Sequence, residues 1–177
     1  MSLPGEPNLR TQVERIVRVD HAGEYGAQRI YQGQLAVLGR GRHGDVIRHM
    51  QAQEQHHLDT FSRLIAERRV RPTALLPLWH LAGYALGAAT AALGERAAMA
   101  CTVAVEEAID EHYRAQVNVL GDEEPELRAT IEEFRAEELE HRDIGLANEA
   151  ALTPGYRVLS AAIKAGCKVA IAVSERI

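Results

Sequence analysis

Four glutamates of this 177-residue chain lie on the apolar faces of predicted helices, where a charged side chain is least expected. Glu106 shares a helical face with Val103 and Tyr113. The adjacent Glu107 shares its face with further acidic residues, so Glu106 is predicted to point inward and Glu107 outward. The same comparison selects three more inward carboxylates: Glu24, Glu54 and Glu138.

Helical periodicity predicts an all-α chain with short connections. Four amphipathic helices are predicted over 12–38, 45–69, 95–120 and 125–151, the first opened by a capping box at residues 11–14. Two additional apolar helices are predicted over about 72–94 and 155–175, with Thr153 as the cap of the second. Short connections favour an antiparallel four-helix bundle. We expect a flexible tail at 1–10 and a single domain at 11–177.

Four buried carboxylates in one small bundle need compensating positive charge. A buried, unpaired carboxylate costs several kcal/mol. Two divalent cations would neutralise four carboxylates. Oxygen-rich ligation with one imidazole for each metal suits iron or manganese better than zinc.

The spacing of nearby histidines supports a two-metal site. His57 follows Glu54 by three positions, and His141 follows Glu138 by three. Glu106 follows Glu24 by 82 positions, and Glu138 follows Glu54 by 84, so the two halves of the chain match. One glutamate from each of two helices and a Glu-x-x-His from each of the other two form the ligand set of ferritin-like di-metal bundles.

Other interpretations of these charges remain open at the level of pattern. The carboxylates and histidines could be solvated ion pairs on an ordinary bundle. A net charge of −5 argues against nucleic-acid binding. Residues 72–94 lack any formal charge and are long enough for a membrane span, but Pro77 and three glycines favour a buried or interfacial helix. Gly83 and Gly87 are expected to form a close helix-packing face.

Several segments resemble the demethoxyubiquinone hydroxylase family, and the resemblance covers nearly the whole chain from Glu14 onward. They are 19–27 (VDHAGEYGA), 71–79 (RPTALLPLW), 100–107 (ACTVAVEE), 137–141 (EELEH), 165–171 (AGCKVAI) and 174–176 (SER). The resemblance implies a ferritin-like fold and a di-iron monooxygenase. Such an enzyme uses O2 to hydroxylate the ring of a demethoxy polyprenyl benzoquinol in ubiquinone biosynthesis. The implied ligands of two iron ions are Glu24, Glu54, His57, Glu106, Glu138 and His141, with Glu54 and Glu138 bridging.

The resemblance also implies an electron donor and a location. NADH or another reductant would supply electrons, and the residues implicated in NADH binding correspond to Arg15, Lys168 and Arg176. Ala172 stands where some relatives carry tyrosine, and Lys168 where some carry arginine, so these residues could equally be solvated cations. We expect a peripheral protein on the cytoplasmic face of a bacterial inner membrane, or on the matrix face of the mitochondrial inner membrane for a processed form. A lipid-binding accessory protein and a homo-oligomer remain open.

Residues near the ligands have further roles to be tested. His112 and Tyr113 are candidates for contact with the ligands or for the substrate path, and Asp20 and Glu137 are candidates for orienting the ligands. Two rival functions remain. One is another ferritin-like di-metal activity, a ferroxidase or a peroxide reductase. The other is a non-enzymatic, membrane-associated helical scaffold.

Overall fold

Six α-helices make up the computed structural model, which describes residues 8–177. They are α1 (Leu9–Leu38), α2 (Gly44–Glu67), α3 (Leu76–Ala92), α4 (Glu95–Leu120), α5 (Pro125–Ala147) and α6 (Tyr156–Ser174), with a short 3-10 turn at Ala150–Leu152. No strand occurs within these residues. The all-α prediction is therefore confirmed.

Four of the helices form a bundle, and its two apolar layers show in which direction each helix runs. One layer joins the start of α1 and α5 to the end of α2 and α4, through Val17, Ile131, Phe61 and Leu120. The other joins the opposite ends, and includes Tyr31, Ile47, Met50, Met99 and Val103. Thus α1 is antiparallel to α2, and α4 is antiparallel to α5. The connection containing α3 returns the chain along the bundle, so α2 and α4 run parallel.

The two apolar helices lie against different members of the bundle, α3 against α1 and α6 against α4. Added Cβ atoms at Gly83 and Gly87 would collide with the carbonyl oxygens of Gly26 and Ile30, so the packing face predicted for these glycines is confirmed. The Trp79 indole donates to Ser174 Oγ at 3.0 Å and ties α3 to α6. No helix in the described part of the chain is both long and apolar enough to cross a membrane.

Several predicted helix ends were wrong by a few residues. α1 begins at Leu9 because the Asn8 side chain accepts a hydrogen bond from the Thr11 amide, so Thr11 is not the cap. The first seven residues of the predicted tail lie outside the described part. α5 ends at Ala147, since the chain turns at Glu149 with a positive φ. Gly155, also with positive φ, precedes α6 where Thr153 was expected. The uncharged 72–94 segment is helical only over Leu76–Ala92, because Thr73 and Leu75 form a turn before it.

Candidate metal centre

A polar layer crosses the middle of the bundle between the two apolar layers. Every bundle helix contributes to this layer, through the six residues that the sequence selected. All six are at most 1% exposed: Glu24, Glu54, His57, Glu106, Glu138 and His141. By contrast, Glu140 is exposed and Glu107 is partly exposed and paired with Lys164 on α6. The predicted inward and outward orientations are therefore both observed.

The six side chains form two overlapping groups, each able to surround one ion. The first consists of Glu24, Glu54, His57 and Glu138, and the second of Glu54, Glu106, Glu138 and His141; in each, one ligand atom per residue lies within 4.8 Å of the others. Glu54 and Glu138 belong to both groups. The arrangement can therefore hold two adjacent metal ions that share two carboxylates.

Buried oxygen atoms without hydrogen-bond partners test whether metals fit here. Both carboxylate oxygens of Glu54, Oε2 of Glu24 and Oε2 of Glu106 are buried and accept no hydrogen bond from the described residues. Such atoms are rare in folded proteins, because an unsatisfied buried acceptor costs about 1–3 kcal/mol. The orphaned atoms face one another across the polar layer, so divalent cations would satisfy them. The donor set, rich in oxygen with one imidazole for each group, fits iron or manganese.

Each histidine presents Nδ1 to the cluster and uses Nε2 to fix its orientation. His57 Nδ1 lies 3.2 Å from Glu138 Oε1, and His57 Nε2 donates to Glu137 Oε2 at 2.6 Å. His141 Nδ1 lies 3.2 Å from both Glu54 and Glu138, and His141 Nε2 donates to Gln53 Oε1 at 3.0 Å. A hydrogen bond at one ring nitrogen leaves the other free to bind metal.

Two tyrosines each donate to one of the unshared glutamates. Tyr31 on α1 donates to Glu106 Oε1 on α4 at 2.8 Å. Tyr113 on α4 donates to Glu24 Oε1 on α1. Contact between Tyr113 and a ligand glutamate was one of the predicted roles for this residue, whereas Tyr31 and Gln53 were not anticipated.

Both unanticipated residues follow from the internal repeat. Tyr31 lies seven positions after Glu24, and Tyr113 lies seven after Glu106. Gln53 directly precedes Glu54, as Glu137 directly precedes Glu138. The offsets of 82 and 84 that relate the ligands therefore also relate their hydrogen-bond partners. Extending the repeat beyond the ligands would have identified these residues.

Without metals, the buried layer holds protons. Burial raises the pKa of Glu54 well above its usual range, and the charges of Glu138 and Glu24 add to the effect. Burial likewise raises the pKa of Glu106, reinforced by Glu138 and Glu54. For Glu138 burial opposes ionisation, but His141 and His57 outweigh it and lower its pKa to about 2. Metal binding would displace the retained protons.

Comparison with known proteins identifies the family. The profile of the family described as Ubiquinone biosynthesis protein COQ7 matches residues 11–174. A 3-demethoxyubiquinol 3-hydroxylase of Rhodospirillum rubrum is 64% identical over 176 residues, which cover 99% of this chain and 83% of the relative. The chain belongs to the COQ7 family. The family resemblance proposed from the sequence motifs is thus confirmed.

More distant COQ7 relatives extend over most of the chain as well. The human NADPH-dependent 3-demethoxyubiquinone 3-hydroxylase, mitochondrial, is 58% identical over 172 residues, which cover 95% of this chain and 79% of the relative. The 5-demethoxyubiquinone hydroxylase, mitochondrial, of Saccharomyces cerevisiae is 42% identical over 182 residues, which cover 93% and 78%. Similarity therefore spans the helices of the polar layer together with α3 and α6.

Asp20 and His112 of this COQ7 protein lie beside the two carboxylate–histidine groups without belonging to either. Asp20 is buried one turn before Glu24, and it accepts a hydrogen bond from Gln116 Nε2 at 2.6 Å. Gln116 Nε2 also lies 2.8 Å from His112 Nε2, which is 3.6 Å from Asp20 Oδ1. Burial raises the pKa of Asp20, and its contacts with His112 and Gln116 oppose that change.

The three predicted NADH-binding residues occupy separate surroundings. Arg15 lines a surface cavity of about 360 Å³ that also includes His112 and Glu175. Lys168 and Arg176 are not among its lining residues. Lys168 Nζ pairs with Glu111 at 2.9 Å on α4, and the Arg176 guanidinium donates to the Ala172 carbonyl. Of the three residues, Arg15 alone lines this cavity, and Glu175, the chain neighbour of Arg176, lies on its wall.

Proposed function

We propose that this COQ7 protein hydroxylates the ring of a demethoxy polyprenyl benzoquinol with O2, the activity that its relatives' names describe as 3-demethoxyubiquinol 3-hydroxylase. The observation that carries the proposal is the pair of overlapping carboxylate–histidine groups, which share Glu54 and Glu138 at the centre of the bundle. A ring hydroxylation with O2 requires a centre that delivers two electrons in one place. Two adjacent metal ions meet this requirement.

The proposed cofactor is a pair of iron ions. Glu24 and His57 would hold one ion, Glu106 and His141 the other, and Glu54 and Glu138 would bridge them. When bound, the iron pair supplies the electrons that activate O2. The protein contributes the fixed positions of six ligand side chains. Their hydrogen-bond partners keep them oriented, including Glu137, Gln53 and the two tyrosines.

The two apolar layers exclude water from the polar layer. Val17, Phe61 and Ile131 close one side, and Ile47, Met50 and Met99 close the other, all fully buried. A dry site strengthens electrostatic interactions with the ligands and prevents loss of reactive oxygen species to solvent. One oxygen atom of O2 would enter the quinol ring, and the other would leave as water.

A polyprenyl substrate would enter from a membrane, and α3 and α6 supply the apolar surface for peripheral binding. Leu78 and Leu81 on α3 are 52% and 69% exposed, and Val158 and Val169 on α6 are 76% and 62% exposed. Large exposed apolar groups on neighbouring helices are typical of interfacial binding. We therefore propose a peripheral protein on the cytoplasmic face of a bacterial inner membrane, or on the matrix face of the mitochondrial inner membrane for a processed form.

A reduced nicotinamide is the proposed electron donor. The names of several mitochondrial relatives include the term NADPH-dependent, whereas the motif resemblance points to NADH. The Arg15 guanidinium, in its cavity, would attract a dinucleotide phosphate. Comparing turnover with NADH and with NADPH, in the intact protein and in Arg15→Gln, tests both the donor and the role of Arg15. Equal turnover by the two proteins with either donor would remove Arg15 from the proposal.

The function is tested by supplying the iron-loaded protein with a demethoxyquinol, O2 and a chemical reductant. We expect the hydroxylated quinol by mass spectrometry, and none from metal-free protein. Oxidation and deposition of added Fe(II) without quinol product would favour a ferroxidase. Consumption of peroxide without quinol product would favour a peroxide reductase. Absence of bound metal and of any turnover would favour a helical scaffold.

A further inference from the structure

The internal repeat relates the two halves of the metal site but does not reproduce their charge. We define the Glu24 half as Glu24, His57, Tyr113, Glu137 and Asp20. We define the Glu106 half as their repeat counterparts: Glu106, His141, Tyr31, Gln53 and Thr102. Three of the five pairs are identical residues. The other two pairs replace an acidic side chain of the Glu24 half by a neutral one.

The first difference lies at the hydrogen bond that orients each histidine. His57 Nε2 donates to the Glu137 carboxylate at 2.6 Å, whereas His141 Nε2 donates to the Gln53 amide oxygen at 3.0 Å. Charge-assisted hydrogen bonds are shorter and about twice as strong as neutral ones. A carboxylate partner also increases the electron density that an imidazole ligand offers to a metal. His57 is therefore the stronger ligand of the two histidines.

The second difference lies one turn before each unshared glutamate. Asp20 accepts from Gln116 at 2.6 Å, and its counterpart Thr102 accepts from Gln34 at 3.4 Å. Asp20 and Thr102 are both buried, so water does not screen the carboxylate. Gln116 Nε2 contacts both Asp20 and His112, and an amide nitrogen only donates, so His112 Nε2 acts as an acceptor in this arrangement. The Glu24 half therefore has a buried carboxyl group where the Glu106 half has a hydroxyl.

Both differences place additional negative charge on the same side of an otherwise repeated site. We infer that the two metal positions are unequal: the Glu24 half binds a divalent cation more tightly and fills first, and Glu137 is the residue that sets the difference. The inference rests on the proposed metal centre, but it does not depend on the hydroxylation. Glu137 is a positioning residue, since it acts through His57.

Titration of metal-free protein with Mn²⁺ in a calorimeter tests the inference. Loss of a residue that hydrogen-bonds a metal ligand changes the affinity for the metal by about 10–100-fold. We therefore expect two binding steps whose dissociation constants differ by about that factor. Glu137→Gln should weaken the tight step and leave the weak step unchanged. Gln53→Glu should strengthen the weak step and leave the tight step unchanged. Glu133→Gln, an exposed glutamate one turn earlier on α5, is the matched control and should change neither.

A spectroscopic measurement identifies which half fills first. With one equivalent of paramagnetic Co²⁺, the ring nitrogen resonances of His57 should broaden before those of His141. In the double variant Glu137→Gln/Gln53→Glu this order should reverse. Two binding steps with equal dissociation constants in the unmodified protein would overturn the inference. Broadening of the His141 resonances before those of His57 would also overturn it. So would a ratio of the two dissociation constants that stays the same in both single variants. Unequal steps in a protein that makes no hydroxylated quinol would refute the proposed function alone.

Discussion

Tyr31 on α1 and Glu106 on α4 are joined by a hydrogen bond of 2.8 Å from the phenol to the carboxylate. The repeat places the same bond in the opposite direction, from Tyr113 on α4 to Glu24 on α1. Each of these two helices therefore supplies one glutamate to the polar layer. Each also supplies one tyrosine, which donates to the glutamate of the other helix. The two bonds fix α1 against α4 at the level where two ions would lie.

Removing either phenol should destabilise the protein by a similar amount. Tyr31→Phe and Tyr113→Phe each leave a buried carboxylate oxygen without its donor, which costs about 1–3 kcal/mol. Chemical denaturation of metal-loaded protein measures the loss. Tyr84→Phe is the control, because Tyr84 is 38% exposed and its ring would still lie beneath Arg29. A loss confined to one of the two buried tyrosines would contradict their equivalence.

Removing a shared carboxylate should release more metal than removing an unshared one. Glu138 belongs to both four-residue groups, whereas Glu106 belongs to one. We expect Glu138→Ala to lose both irons and Glu106→Ala to lose the ion beside His141. Iron content per folded chain measures this directly. Glu140→Ala and Glu107→Ala, which alter carboxylates outside the site, should retain both ions; their depletion would contradict the assigned orientations.

Chelation should lower the melting temperature, and more at pH 8 than at pH 6. In metal-free protein the raised pKa values of Glu54 and Glu106 mean that the folded state binds protons that the unfolded state releases. The resulting stability is full below the ordinary carboxyl pKa and is lost as pH rises toward the folded-state values. His57, whose pKa is raised to about 12, acts in the same direction above about pH 6.5. Glu138, with its lowered pKa, alters stability only in acid.

Calorimetry of iron-loaded and chelated protein at the two pH values measures this difference. A metal present at a hundredfold excess over its Kd stabilises the folded state by about 2.7 kcal/mol. For a chain of this size each kcal/mol corresponds to about 2–4 °C. A chelated protein that melts at the same temperature as the loaded one would exclude a buried metal centre.

The contact between α1 and α3 should respond sharply to glycine substitution. Gly87→Ala places a methyl group against the Ile30 backbone, which α3 can avoid only by moving away. Overpacking of this kind costs about 1–3 kcal/mol. Gly166→Ala on α6 meets no atom within 4 Å and should instead stabilise the protein by about 0.5–1 kcal/mol. Equal effects of the two substitutions would contradict the close packing of α3.

The exposed apolar side chains of α3 and α6 should carry membrane binding. Leu81→Glu combined with Val169→Glu adds two charges to this surface and should reduce co-sedimentation with vesicles, because charged groups are costly at the acyl boundary. Val37→Glu, on the exposed side of α1, is the control. Alkaline carbonate should release the unmodified protein from vesicles. Retention under that treatment, or equal binding by the double variant, would contradict peripheral attachment through this surface.

The sequence predicted the helices and the six clustered side chains because both depend on local periodicity. A glutamate surrounded by apolar residues at helical spacing must point inward, whichever partner helix faces it. The parallel directions of α2 and α4 could not be predicted, because helical periodicity does not show along which path the connection through α3 crosses the bundle. Tyr31 and Gln53 were missed because tyrosine and glutamine fit a bundle interior without metals, and only the repeat distinguishes them. The start of α1 depended on one side-chain bond from Asn8.

We propose that the buried carboxylate layer holds an iron pair, which would supply the electrons for adding one oxygen atom of O2 to a quinol ring. A single turnover of fully reduced, iron-loaded protein with a demethoxyquinol under ¹⁸O2 tests this. The hydroxylated product should contain one ¹⁸O atom, and Glu138→Ala should form none. Product carrying oxygen from water, or equal labelled product from Glu138→Ala, would contradict the claim.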